Sequence, residues 1–390
     1  MPSVDADPSR ASERAHGVSE ALTPDGDAAQ GVPKTPAEFF ERVHEIKEFL
    51  EEFVDTSAVP GASIALGVGE FTRFEGFGWA NIEAKTPVTP ETRFRIGSVS
   101  KVLTAAAMGL MVEAGDVDLD AVIQEYVPEF PRKEYPITLR HLATHQAGIH
   151  HYRGDEALSN RRFGSVLEAI SVFAEDPLVA EPGSAFNYST YGYTLLSAAL
   201  ERASGQTFLD LMQERVLEPI GMTHTGPEIS GSLHPDQAVG YEPDYAGGVR
   251  IPPETDLSNK WAGGGYVSNA ADLLRFARAH LTGSFLRQET LELLWQEQTT
   301  ADGTPTGHGI AWQTGVMETG GEADGEADGE TAGEADGRRF VAAGGNAIGG
   351  TTVMVAFPDE EVVMVFMTNI GNAPIRGVPQ RLVRILLGVE

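Results

Sequence analysis

Short β-rich stretches stand at both ends of this chain and are nearly absent from its middle. Near the N-terminal end, "PGASIALGVGEFTRFEGFGWA" (60–80) reads as a strand, a turn at Gly69-Glu70 and a second strand. Near the C-terminal end, "HGIAWQTG" (308–315), "RFVAAGG" (339–345), "TTVMVAFP" (351–358) and "EVVMVFMTN" (361–369) are apolar, rich in β-branched residues and bounded by turn residues. Between about 116 and 300 the pattern is mostly helical with long loops, as in "SVLEAISVFAED", "YGYTLLSAALERAS", "TFLDLMQERVL" and "AADLLRFARAHL". Strands that bury a face must pair. The economical arrangement is therefore one antiparallel sheet built from both chain ends and flanked by helices, with a mostly helical domain inserted. This is an α/β (α+β) class, and a site is expected in the crevice between the two parts.

The expected boundaries are residues 35–105 with 305–390 for the sheet domain and 106–304 for the helical domain. Residues 1–34 are polar and rich in Ala, Asp and Pro, and read as a disordered acidic tail. "GEADGEADGETAGEADG" (321–337) reads as a flexible acidic insertion between strands, without the ligand pattern of an EF-hand. Order is expected from Thr35, which can cap a helix with Pro36 at its first position and Glu38 completing a capping box. Phe39, Val43, Ile46, Leu50 and Phe53 then share one face of that helix. A final helix is expected in "IRGVPQRLVRILLG".

Charge narrows the partners. Asp and Glu total 57 against 28 Lys and Arg, and only six of the 28 are Lys, for a net charge of −29. Such a surface repels nucleic acid and anionic lipid, so neither is an expected partner. An acidic, lysine-poor surface is what a salt-rich cytoplasm calls for, and it predicts a fold that loosens in low salt. There is no cysteine, which excludes disulfides and thiolate metal sites. No window approaches the roughly 18 apolar residues of a membrane span, and no apolar leader core is present, so a cytoplasmic location is the expectation.

"FRIGSVSKVLTAAAMGLMVEAG" (94–115) carries the chemistry. Ser98 and Lys101 are spaced to share one face of a helix beginning near Ser98. Backbone N–H groups at a helix start favour developing negative charge on the hydroxyl. The residues after Lys101 offer no polar face, so its ammonium should be desolvated and its pKa lowered. A neutral amine beside a serine hydroxyl can act as its general base. Ser-x-x-Lys alone is weak evidence, since about one match is expected by chance in a chain of ordinary composition. In most proteins it would be a capping Ser followed by a surface Lys.

A second proton-handling group lies in "FNYSTYGY" (186–193). With "GSVSK" about ninety residues before it, this pattern resembles the serine β-lactamase-like and penicillin-binding-protein superfamily. "VPGASIAL", "YVPEFPRKEYPITLRHLATHQAGIHHY" and "KWAGGGYVSNAADLLRF" bring it nearest to the mitochondrial serine β-lactamase-like proteins and their bacterial relatives. The likeness covers roughly residues 37 to 388, apart from the acidic insertion. It implies a serine hydrolase with Ser98 as nucleophile, Lys101 as its activator and Tyr188 as proton shuttle to the leaving group. Thr190 takes the third position of the family's Tyr-x-Asn motif. The implied oxyanion donors are the backbone N–H groups of Ser98 and Asn346. The family's third motif, Lys-Thr-Gly or His-Thr-Gly-Gly, falls on Ala343, Gly344 and Gly345, which become expected substrate-binding positions without the cation or imidazole. That loss puts penicillin-like substrates in doubt. Arg338 and Arg339 enter the same strand and are the candidates for a replacement charge.

Expected substrates are small molecules or peptides with an amide or ester bond, with no cofactor and no metal. His141 and His145 are four apart, as in a zinc helix, but the Glu of His-Glu-x-x-His is missing and a structural role is preferred. The resemblance also carries a second reading, a catalytically weak scaffold of the same fold that forms homo-oligomers or filaments.

Overall fold

The computed structural model describes residues 31–232, 234–244, 247–318 and 337–389. Most of the expected tail, residues 1–30, and of the expected insertion lie outside the described residues. Gly31 already donates its N–H to Gly388 O at 3.2 Å, and Gly337 is the first residue of a strand.

The strands are β1 (Gly61–Val68), β2 (Phe71–Asn81), β3 (Thr86–Pro87), β4 (Phe94–Arg95), β5 (Gly226–Pro227), β6 (Glu242–Pro243), β7 (Val249–Arg250), β8 (Tyr266–Ser268), β9 (Gln313–Glu318), β10 (Gly337–Ala347), β11 (Gly350–Phe357) and β12 (Val362–Thr368). Seven of them form one antiparallel sheet in the order β3-β2-β1-β12-β11-β10-β9, so the two chain ends meet at the β1–β12 pair. Ala62 lies opposite Thr368 and Val68 opposite Val362.

Period-two alternation gives each central strand two apolar faces. Ile64, Leu66, Val362, Met364 and Phe366 join the core beneath the helices Pro36–Thr56 and Val378–Leu387. Ala65, Val363, Val365 and Met367 join the larger core on the opposite face. There the helix Ala270–Leu281 covers β1 and β12, and Leu274 sits where a Cβ on Gly67 would reach it at 3.0 Å. The first helix starts as its sequence predicts. Thr35 accepts from the Glu38 N–H and Glu38 accepts from the Thr35 N–H. Phe39, Val43, Ile46 and Leu50 are buried, and Phe53 is half-buried.

A small three-stranded sheet, β4-β8-β5, joins residues 94–95 to residues 226–227 and 266–268. Arg95 pairs with Val267, and Ile96 N–H donates to Tyr266 O at 3.1 Å. This pairing holds the chain entering Ser98 against the chain leaving "WAGGG".

Candidate active site

Ser98 lies in a single 3-10 turn, Gly97–Val99, which runs into the helix Ser100–Ala114. The turn is pressed against β10 by missing atoms. Gly97 has φ +50°, and a Cβ there would meet the Asn346 backbone at 2.9–3.0 Å. A Cβ on Gly345 would fall on the Ile96 carbonyl oxygen and lie 3.0 Å from Ser98 N. β9 stops pairing at Ala342, so from Ala343 onward the outer edge of β10 has no strand partner among the described residues, and the serine turn packs there.

The helix after Ser98 is buried almost all round, and Lys101 is only 2% exposed. Its Nζ lies 3.1 Å from Ser98 Oγ, 3.2 Å from Thr190 Oγ1 and 2.6 Å from Gly263 O. Desolvation pushes its pKa down, opposed by the nearby Tyr188 hydroxyl. As a neutral amine it keeps two N–H donors and one lone pair. Gly263 O and Thr190 Oγ1 can take the two donors, which leaves the lone pair for the Ser98 hydroxyl proton.

Tyr188 precedes the helix Thr190–Ser204, whose N-cap Ser189 accepts from Gly192 N–H. Tyr188 Oη donates to Ser98 Oγ at 2.5 Å, and its ring lies 4.7 Å from Lys101 Nζ. The histidine cluster frames this tyrosine. The His145 ring lies tilted, 4.4 Å from the Tyr188 ring, and accepts from Ser189 N–H through Nδ1 at 3.2 Å. His151 meets the ring edge-on at 5.4 Å and accepts from Thr190 N–H at 3.3 Å. Burial pushes His145 well below its ordinary pKa and His151 down to about 4, so both are neutral acceptors at pH 7. The zinc-helix spacing does not survive folding: the helix ends at Ala143, and His145 has φ +60°.

The third-motif segment is divided by strand alternation. Ala343 is 4% exposed and belongs to the core, while Gly344 and Asn346 are exposed on the other side. Asn346 is fixed by its own amide, which accepts from Asn372 N–H at 2.8 Å and donates to Asn372 Oδ1 at 2.6 Å. Arg338 and Arg339 do not supply the missing cation. They pair with Glu360 at 3.7 Å and Asp359 at 3.1 Å, and Arg339 lies four residues, about 13 Å of strand, from Ala343.

A cavity of about 390 Å³ opens beside Ser98. Thr190 and Asn346 line it with Ser98, whereas Ala343, Gly344 and Gly345 do not. Sequence reasoning missed the wall formed by Arg250, Thr255 and Lys260. The available signal was a scarce lysine placed directly before Trp-Ala-Gly-Gly-Gly. Among the described residues no helix is long and apolar enough to cross a membrane.

Comparison with known proteins places the fold. A family model described as Beta-lactamase matches residues 46–387. The human "Serine beta-lactamase-like protein LACTB, mitochondrial" is 30% identical over 421 aligned positions, covering 84% of this chain and 75% of that one. Among solved structures, an octameric penicillin-binding protein homologue from Pyrococcus abyssi has a TM-score of 0.74 at 24% identity, covering 89% of this chain and 78% of its own. The D-amino acid amidase from Ochrobactrum anthropi has a TM-score of 0.73 at 24% identity, covering 89% of this chain and 97% of its own. These two likenesses are likenesses of fold. With a family model spanning most of its length and a relative at 30% identity, the chain belongs to the Beta-lactamase family.

Proposed function

We propose that this protein is a serine hydrolase that cleaves amide or ester bonds through an acyl-enzyme on Ser98. The observation that carries the reading is the 3.1 Å contact between Ser98 Oγ and the desolvated Lys101 amine. Lys101 takes the hydroxyl proton as Oγ attacks the substrate carbonyl. The tetrahedral oxyanion is held by the N–H groups of Ser98 and Asn346, one at the serine turn and one on the free edge of β10. Tyr188 gives its proton to the leaving group and recovers one from Lys101. Water then attacks the ester, with Lys101 again as the base, and releases the acid. Thr190 holds the amine in place. Oxyanion donors on the backbone need no side chain at position 343, so Ala343 is compatible with this chemistry.

The test is intact mass after exposure to a fluorophosphonate, with Ser98→Ala as control and penicillin in parallel. A Ser98-dependent adduct with the phosphonate supports the reading. An adduct with the phosphonate and none with penicillin would narrow it to a peptidase or esterase. The absence of any Ser98-dependent adduct on folded protein would move the assignment to a self-assembling scaffold, which the uncharged Ala343 favours and light scattering would detect.

A further inference from the structure

The cavity beside Ser98 is uneven in charge. On the β10 side Asn346, Ala347 and Ile348 line it, and none is charged. The stretch 250–260 supplies Arg250, Thr255 and Lys260. Lys260 is 8% exposed. Its Nζ donates to Ala157 O at 2.9 Å and lies 5.2 Å from the Tyr152 ring centre. No other hydrogen bond and no ion pair to it is present among the described residues, although an ammonium carries three donors. Arg250 is exposed and likewise has no ion pair among the described residues.

The other charged groups do not compensate. Arg95 is engaged by both oxygens of Glu228, at 2.7 and 2.5 Å, and by Ile348 O. Glu242 lines the cavity with one oxygen held by Gly349 N–H at 2.8 Å. Asp256 accepts from the Ser258 N–H and hydroxyl. Thr255 is buried, and its hydroxyl has no hydrogen-bond partner. A buried ammonium with unused donors beside a cavity is costly unless a ligand completes it. In a chain of net charge −29, a cationic wall at the nucleophile is not background.

We infer that Lys260, with Arg250 and Thr255, forms an anion subsite that selects amides and esters carrying a carboxylate. This rests on the acyl-enzyme reading for Ser98 and adds the substrate class. The subsite does not involve Ala343, which does not line the cavity and offers no charge. A monocarboxylate suits it: the Lys260 ammonium meets its oxygens, Arg250 approaches from the mouth, and Glu242 disfavours a more highly charged group. Burial, with Arg95 beside it, pushes the Lys260 pKa down to about 8, while Asp256 and Glu228 push it back up. His151 and Tyr152 also line the cavity: His151 is neutral above its pKa of about 4, and burial pushes the Tyr152 phenol up, so it is neutral as well. Lys260 is therefore charged at neutral pH and loses its charge as pH rises through about 8, while Arg250 keeps its own.

The experiment compares two isosteric esters on the full chain, the 4-nitrophenyl monoester of adipic acid and the 4-nitrophenyl ester of adipamic acid. Wild type should favour the carboxylate in kcat/KM by roughly tenfold or more. Lys260→Met should bring that ratio close to one, and Arg250→Gln should reduce it partly. The wild-type ratio should also fall as pH rises through about 8. Calorimetry of free adipate with Ser98→Ala gives a readout without turnover, with binding that Lys260→Met removes. A ratio near one in wild type, or a ratio untouched by Lys260→Met, overturns the subsite. If neither ester reacts and no phosphonate adduct forms, the acyl-enzyme reading fails, and adipate binding alone decides whether the anion site exists. If Lys260→Met does not fold, the pH dependence of the wild-type ratio decides.

Discussion

Only six lysines occur in this chain, and two of them are buried near Ser98 in contrasting surroundings. Lys101 finds three oxygens within 3.2 Å, one of them the serine hydroxyl. Lys260 finds a single backbone carbonyl and faces an open cavity. Burial lowers the pKa of both, so desolvation does not separate their roles. What separates them is partner chemistry. An amine whose partners include an ionisable hydroxyl can exchange a proton with it. An ammonium with unused donors beside a cavity can only wait for an anion.

The sharpest way to break this contrast is Lys101→Met. It should slow phosphonate labelling and the turnover of both adipic esters by about 10³-fold, while the ratio between the esters stays at the wild-type value. A shifted ratio would mean that the two lysines share one task. In wild type, labelling should rise with pH as the amine loses its proton and level off before the ordinary lysine range, because the Lys101 pKa is depressed.

Next in size is Gly345→Ala. The added methyl would strike the Ile96 carbonyl and crowd Ser98 N, so β10 must retreat from the serine turn. Acylation should fall by about 10²-fold through lost alignment, and chemical denaturation should show a loss of about 1–3 kcal/mol. Gly344→Ala, with open space around the new methyl, should keep wild-type stability.

Buried bases far from the substrate extend the comparison. His280 is 1% exposed, bonds Phe276 O at 2.8 Å and has its pKa pushed down to about 4 by burial. The unfolded chain binds its proton near pH 6.5, so this contribution is complete above that pH and is lost as pH falls toward 4. Urea unfolding at pH 8 and pH 5 should differ by about 2 kcal/mol from this group alone. Equal stability at both values would contradict it. The smallest expected effect is a rise in melting temperature with added salt, as acidic self-repulsion is screened. A melting temperature independent of salt would remove the salt-adapted reading.

Much of the frame was legible because local rules determine it. The Thr35–Glu38 capping box, the β1–β2 turn and the alternation of β11 and β12 need only near neighbours. The approach of Lys101 to Ser98 was legible in their spacing and in the apolar run around Lys101, whereas Tyr188 was marked by the family resemblance alone. Elsewhere tertiary contacts decide. "HGIAWQTG" reads as a strand, yet β9 starts only at Gln313, because Ala311 turns with φ +67° and Trp312 is drawn into the core beside Phe276. "SVLEAISVFAED" is helical only over Val166–Ile170, and "TFLDLMQERVL" contains a π-helical turn at Gln213–Leu217. The cationic wall has no periodicity at all. Lys260 gains its setting from Ala157, 103 residues earlier in the chain, a partner no local pattern announces.

The meeting of the two chain ends at β1 and β12 also has a consequence in time. As the polypeptide emerges from the ribosome, β1 and β2 can form a hairpin at once, but the inner edge of β1 has no partner until residues beyond Val362 are made. Nearly three hundred residues of synthesis separate the hairpin from the strand that closes it, and contacts so distant in sequence form slowly. During that interval an apolar strand edge stands open to other chains. With a net charge of −29 on the whole chain, incomplete copies repel one another over that interval, which opposes pairing at the open edge.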